Sequence, residues 1–172
     1  MIDPYSWRVI SGRRFYRRNL PHFQSDFRTY YVTFVTQDRR VLPPIACDIV
    51  LKHILFDHKR RMWLEVAVVM PDHAHLILTP AADSSGWSYA FAEILKGTKG
   101  CSSRNVNRVL CTSGTLWQHE SFDHELRNDE SIREKAEYIC QNPVRWGLVK
   151  NVDDYPWLWR EWVEGRKRSA GS

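Results

Sequence analysis

The residues able to do chemistry in this chain are two histidines, a tyrosine, an asparagine and a lysine. His73 and His75 interrupt VAVVMPDHAHLILT (66–79), a run of β-branched and aliphatic residues around Met-Pro-Asp. Two apart on a strand, they point to the same face. Burying two imidazoles there is costly unless something pairs with them. They are read either as satisfied polar groups near a strand end or as ligands for a metal or a phosphate. Further on, Lys135, Tyr138 and Asn142 recur at spacings of three and four. On a helix they form one stripe, beside an apolar face of Ile132, Ala136, Ile139 and Cys140. The plain alternative is a boundary tyrosine and an asparagine that ends the helix before Pro143.

Taken together, the two groups make more chemical sense than either alone. Two imidazoles and one amide oxygen would hold a divalent ion, Mg²⁺ or Mn²⁺, with open positions and no compensating negative charge. Such a site suits an anionic phosphate oxygen, on which the metal acts as Lewis acid. Tyrosine is a weak nucleophile at its reference pKa of about 10 and needs cationic neighbours. Lys135 or the metal would supply that help, or Lys135 would hold a phosphate.

These side chains must be positioned by regular elements. Alternating aromatic and β-branched residues predict a strand over 30–36. A helix follows Pro43-Pro44, with Ile45, Ile49, Val50 and Ile54 as its apolar face. Strands are expected over 63–70 and 73–79, on either side of the Pro71-Asp72 turn. A helix over 87–110 is expected to be weakened or broken at Gly97 and Gly100. A polar-alternating strand over 116–126 and a helix over 128–142 complete the order, with Asp129 and Glu130 suiting the last helix's N-terminal dipole. The order β-α-β-β-α-β-α predicts an α+β fold: a ferredoxin-like sandwich on a four-stranded antiparallel sheet, with an extra C-terminal helix carrying Tyr138. The first and third strands lie centrally in that layout, so the histidines sit on a central strand, on the face the first two helices leave open.

At 172 residues the chain is expected to form a single domain, with a basic N-terminal arm (about 1–25) and a basic C-terminal tail (about 160–172). No apolar stretch approaches the roughly 20 residues that span a bilayer. The N-terminus has no apolar signal-peptide core. Cys47, Cys101, Cys111 and Cys140 show no paired spacing, which argues for a reducing compartment and against a structural zinc site. Net charge is +5, and the excess is concentrated. Arg8, Arg13, Arg14, Arg17 and Arg18 fall in one acid-free stretch. Lys96, Lys99, Arg104 and Arg108 fall in a second, and Arg166, Lys167 and Arg168 in a third. Any one such run is ordinarily a solvated face; three favour a polyanion partner.

MPDHAHLIL followed by YICQNPVRWGLV resembles the HUH-type single-strand transposases, and within them the REP-associated tyrosine transposases. RRNLPHF, YYVTFVTQDRR, LKGTKGCSSRNVNR and LWQHESFDHELR fit the same family, so the likeness spans about residues 10–157. The resemblance implies a ferredoxin-like catalytic domain in which His73 and His75 bind the metal and Asn142 adds a ligand. Tyr138 would attack single-stranded DNA, leaving a 5′-phosphotyrosine link and a free 3′-hydroxyl that permits rejoining. The implied substrates are REP-type hairpins with a short tetranucleotide at the foot, read by Arg13, Arg14, Arg17 and Arg18. Lys96, Lys99, Arg104 and Arg108 are further expected DNA contacts. The implied setting is the bacterial cytoplasm and nucleoid, with a monomer expected over a dimer. Asp72 and Ala74 stand where Asn and Val are more usual, and Trp146 where a small residue is common. Asp72 places a charge beside the site. Two other readings remain: a domesticated, non-catalytic hairpin-binding domain, and a metal-dependent hydrolase using His73, His75 and either His119 or Asp123. Against the second, the chain is shorter than a barrel hydrolase of about 250 residues.

Overall fold

The computed structural model describes residues 28–163 apart from 128, with the backbone alone for 129 and 130. The arginine-rich stretch from Arg8 to Arg18 and the tail Arg166–Arg168 lie outside the described residues, as do the side chains of Asp129 and Glu130. The elements are β1 (Thr29–Val35), α1 (Pro44–Phe56), β2 (Met62–Val69), β3 (His73–Pro80), α2 (Phe91–Leu110), β4 (Phe122–Leu126), α3 (Asp129–Arg145) and β5 (Leu158–Arg160). The strands form one antiparallel sheet in the order β4-β1-β3-β2-β5, with β3 at its centre. The ferredoxin-like α+β sandwich is thus present, with one strand more than the four expected.

That fifth strand is built by the Trp-rich segment after α3. Tyr155 donates its hydroxyl to Val69 O at 2.8 Å and Trp157 Nε1 donates to Asp48 Oδ1 at 2.8 Å, which lays Leu158–Arg160 along β2. These long-range anchors, rather than any local strand pattern, define the element.

Alternation along the strands divides the core in two. Val32, Phe34, Leu64, Ala74, Leu76 and Leu78 pack under α1 and α2, with Ala46, Val50, Ile54, Ile94, Leu95 and Val106 opposite them. Tyr31, Val66, Val68, Met70 and Ile77 point the other way, under Ile132, Ala136, Ile139 and Cys140 of α3. β2 changes phase between the two sets. Its register to β3 moves from Leu64↔Leu78 to Val66↔Ile77, leaving Glu65 as the extra residue of a β-bulge.

Several expected boundaries shift for identifiable reasons. α1 starts where Pro43 and Pro44 direct, with proline in the first turn. Its buried face, however, is Ala46, Cys47, Val50 and Ile54, and Ile45 is exposed. The helix is apolar nearly all round, so periodicity does not single out one face. α2 begins at Phe91 and runs unbroken through Gly97 and Gly100. At Gly97 a Cβ would lie 2.8 Å from Arg61 Nη2, a guanidinium held by Asp57 through two bonds of 2.8 and 2.7 Å. The missing side chain there makes room for an ion pair. Residues 116–117 approach β1 through a single bridge, Thr36↔Trp117, and regular pairing starts only at Phe122. α3 continues through Pro143 to Arg145; Asn142 and Pro143 are both buried, and their packing outweighs the missing proline N–H. The helix stops at Gly147, whose φ of 68° suits glycine, with Gly147 N bonded to Val144 O and Leu148 N to Pro143 O.

Candidate active site

The two histidines are side by side on the α3 face of the central strand, both buried, their rings 4.7 Å apart. Each ring commits its Nδ1 to a neighbour. His73 Nδ1 lies 2.5 Å from Asp72 Oδ1, and Asp72 Oδ2 accepts from Arg39 Nη1 at 3.2 Å. His75 Nδ1 lies 2.7 Å from Thr33 Oγ1 and 3.1 Å from the Tyr31 hydroxyl. The β1–β3 register causes the second arrangement, because Thr33 stands directly opposite His75. Among the described residues no hydrogen bond engages either Nε2. Burial, reinforced by the neighbouring His73, pushes the His75 pKa down to about 3, so this ring is neutral at ordinary pH. Neutral imidazoles oriented through Nδ1 are the form in which histidine binds metals.

α3 brings its stripe over the same spot. The Tyr138 ring is 6.2 Å from that of His75, and the residue is 40% exposed. Arg145 Cζ lies 4.8 Å and Lys135 Nζ 5.7 Å from the Tyr138 ring centre, and Lys135 is also 5.2 Å from that of Tyr31. Asn142 is 3% exposed, and its Nδ2 has no hydrogen-bond partner among the described residues. A buried amide is costly in that state, and a half-turn about its last bond presents the oxygen instead. Two uncommitted Nε2 atoms have the donor chemistry for a divalent cation, and the Asn142 amide, its Nδ2 without a partner among the described residues, is a further group of that chemistry. No group of three His, Cys, Asp or Glu arranged for a metal occurs among the described residues.

His73, His75, Tyr138 and Lys135 thus come together, and Asn142 is buried on the same helix four residues before Trp146, whose ring lies 5.4 Å from that of His73. Lys96, Arg104 and Arg108 do not join them: they are exposed on α2, which covers the opposite face. Lys99 shares that helix and donates to Gln118 O, His119 O and Ser121 Oγ at 2.8, 3.0 and 2.9 Å. It tethers the segment before β4, and burial lowers its pKa. The hydrolase reading loses its extra ligands, since Asp123 pairs with Val32 on the α1–α2 side and His119 is fully exposed beside Glu120. Sequence reasoning missed Tyr31, Thr33, Arg39 and Arg145. Tyr31 and Thr33 alternate as strand residues facing one way, but only the register shows that they meet His75.

No family model matches the chain. It is 30% identical over 142 residues to the REP-associated tyrosine transposase of Escherichia coli (strain K12), covering 77% of this chain and 80% of that protein. A putative REP-associated tyrosine transposase of Haemophilus influenzae is 28% identical over 94 residues, about half of each chain. A solved REP-associated tyrosine transposase bound to a REP hairpin shares the fold, with a TM-score of 0.63 at 22% identity over 81% of both chains. The class is that of the tyrosine transposases. The chain belongs to the REP-associated tyrosine transposase family. Among the described residues, no helix is long and apolar enough to cross a membrane.

Proposed function

We propose that this protein cuts and rejoins single-stranded DNA at the foot of REP-type hairpins through a covalent tyrosine link. The supporting observation is the approach of Tyr138 to His75, one of two adjacent imidazoles that keep Nε2 uncommitted. His73, His75 and Asn142 would hold Mg²⁺ or Mn²⁺, which supplies Lewis-acid polarisation of the scissile phosphate. Tyr138 Oη attacks phosphorus and the bond to the 3′-oxygen breaks. The 5′ end stays on the tyrosine, and the 3′-oxygen takes up a proton to leave as a hydroxyl. Lys135 and Arg145 lie where they counter the phosphate's charge. Asp72 and Thr33 hold the imidazoles in register through Nδ1. The hairpin itself is proposed from the relatives' names and from the chain's basic stretches.

The test uses a labelled single-stranded oligonucleotide carrying a REP-like hairpin, with Mn²⁺ or Mg²⁺. Wild type is expected to form a protein–DNA adduct stable to denaturation, and Tyr138→Phe none. An equal adduct from Tyr138→Phe, or binding with no adduct from wild type, overturns the reading; the latter favours a non-catalytic hairpin-binding domain.

A further inference from the structure

The site is the middle of a row of rings. Phe122 meets Tyr31 edge to face at 6.1 Å, Tyr31 stacks on His75 at 5.7 Å, His75 meets His73 at 4.7 Å, and His73 meets Trp146 at 5.4 Å. The three inner rings are buried. The two end rings are not: Phe122 is 62% and Trp146 54% exposed. Both ends are held in place. Phe122 pairs with Thr33 on the edge strand β4, and Trp146 N bonds to Asn142 O where α3 terminates.

An isolated exposed aromatic needs no explanation. Two at opposite ends of one row, with an anion-suited centre between them, do. Lys135 and Arg145 lie against Tyr138 beside that centre, so the backbone phosphate belongs in the middle. Each exposed ring is then one or two ring steps away, within reach of the base attached to an adjoining nucleotide. Unpaired bases stack on exposed aromatic faces without regard to sequence, because every base has a π-face.

We propose that Trp146 and Phe122 are stacking platforms for the unpaired bases on opposite sides of the scissile phosphate. This rests on the reading of Tyr138 as the DNA nucleophile. The two platforms would hold the strand taut across the histidine pair and so fix which bond is presented to Tyr138.

The experiment measures binding of the hairpin oligonucleotide, with an abasic site placed at each single-stranded position in turn. It uses the Tyr138→Phe chain as parent, so that binding is read without cleavage. In the parent, one abasic position on each side of the cleavage point should weaken binding roughly tenfold, the loss of about one base stack. Adding Trp146→Ala should weaken binding of the intact strand by a similar factor and abolish the penalty at one of those positions. Phe122→Ala should do the same at the position across the cleavage point, and Trp146→Phe should restore the penalty that Trp146→Ala removes. A merely structural role for either ring would weaken binding at all positions alike. Equal abasic penalties in parent and variants, or both variants coupling on the same side, overturn the proposal while adduct formation by wild type still supports the nucleophile. If wild type forms no adduct with the intact strand, both readings fall.

Discussion

The two faces of the sheet are made from the same strands and do different work. On β3, Ala74, Leu76 and Leu78 enter a core closed by two helices. Their neighbours His73 and His75 face α3, where one helix covers the sheet and leaves Tyr138 in reach of solvent. The first face is largely apolar, with a Phe34–Trp117 edge contact at 4.6 Å, and its buried Thr98 and Ser102 hydroxyls donate back to carbonyls of α2. The second buries imidazoles, a phenol and an amide. Apolar burial stabilises by roughly 25 cal/mol per Å², whereas buried polar groups stabilise little and lose much if unpaired. Holding the chemistry rigid on one side therefore depends on the packing of the other.

The sharpest way to break this division is to exchange roles between adjacent residues. His75→Ala should abolish adduct formation while lowering stability less than Leu76→Ala does. Leu76→Ala should lose about 2–5 kcal/mol in denaturant unfolding and keep its activity below its new melting transition. If His75→Ala were the more destabilising change, the polar face would be structural after all.

Acidification probes the same contrast. The unfolded chain protonates His75 near its ordinary value of about 6.5, while the folded chain resists until about 3. Below about 6.5 the unfolded state therefore binds the extra proton, and stability falls as pH drops towards 3. The slope is at most about 1.4 kcal/mol per pH unit. Comparing metal-free wild type with His75→Gln should show this component vanish from the pH dependence of the denaturation midpoint. Identical slopes would mean that the ring is not held neutral.

A gentler change sharpens the metal side. Asp72→Asn keeps an acceptor for His73 but removes the charge shared with Arg39. It should weaken Mn²⁺ binding about tenfold, as outer-shell substitutions do, with little change in melting temperature. Unchanged affinity by calorimetry would show the carboxylate to be irrelevant to the site. The smallest effect belongs to the opposite face. Gly100→Ala, whose new Cβ would meet only Arg104 Nη1 at 3.6 Å, should stabilise by about 0.5–1 kcal/mol and leave adduct formation unchanged.

Much of the site was legible in the sequence because it depends on local periodicity. A spacing of two on a strand puts His73 and His75 together, and spacings of three and four on a helix align Lys135, Tyr138 and Asn142. What was illegible depends on register and on distant packing. Nothing in YYVTFVT says that Thr33 will stand opposite His75. Nothing in the Trp-rich end says that Trp157 will reach Asp48 and lay down a fifth strand. Gly97 and Pro143 read as breaks, because the Arg61–Asp57 pair and the burial of Asn142 are tertiary facts. The basic residues of α2 carried a charge signal but no indication of which face they would occupy.

The bulge at Glu65 has a consequence for how this chain tolerates change. It acts as a frame shift within β2: before it, Met62 and Leu64 face the two-helix side, and after it Ala67 and Val69 do, while Val66, Val68 and Met70 face α3. Deleting that one residue would leave Leu64 opposite Leu78 and Val66 opposite Ile77 as consecutive pairs of a regular strand, with each side chain still facing its own layer. Keeping it while forcing regular pairing would turn one half of β2 towards the wrong layer. Substitutions in β2 are errors of spelling that packing can absorb locally. Loss of Glu65 is not an error of frame: the bulge is a spare position, and the Pro71-Asp72 turn would still hand the chain on to His73 in phase.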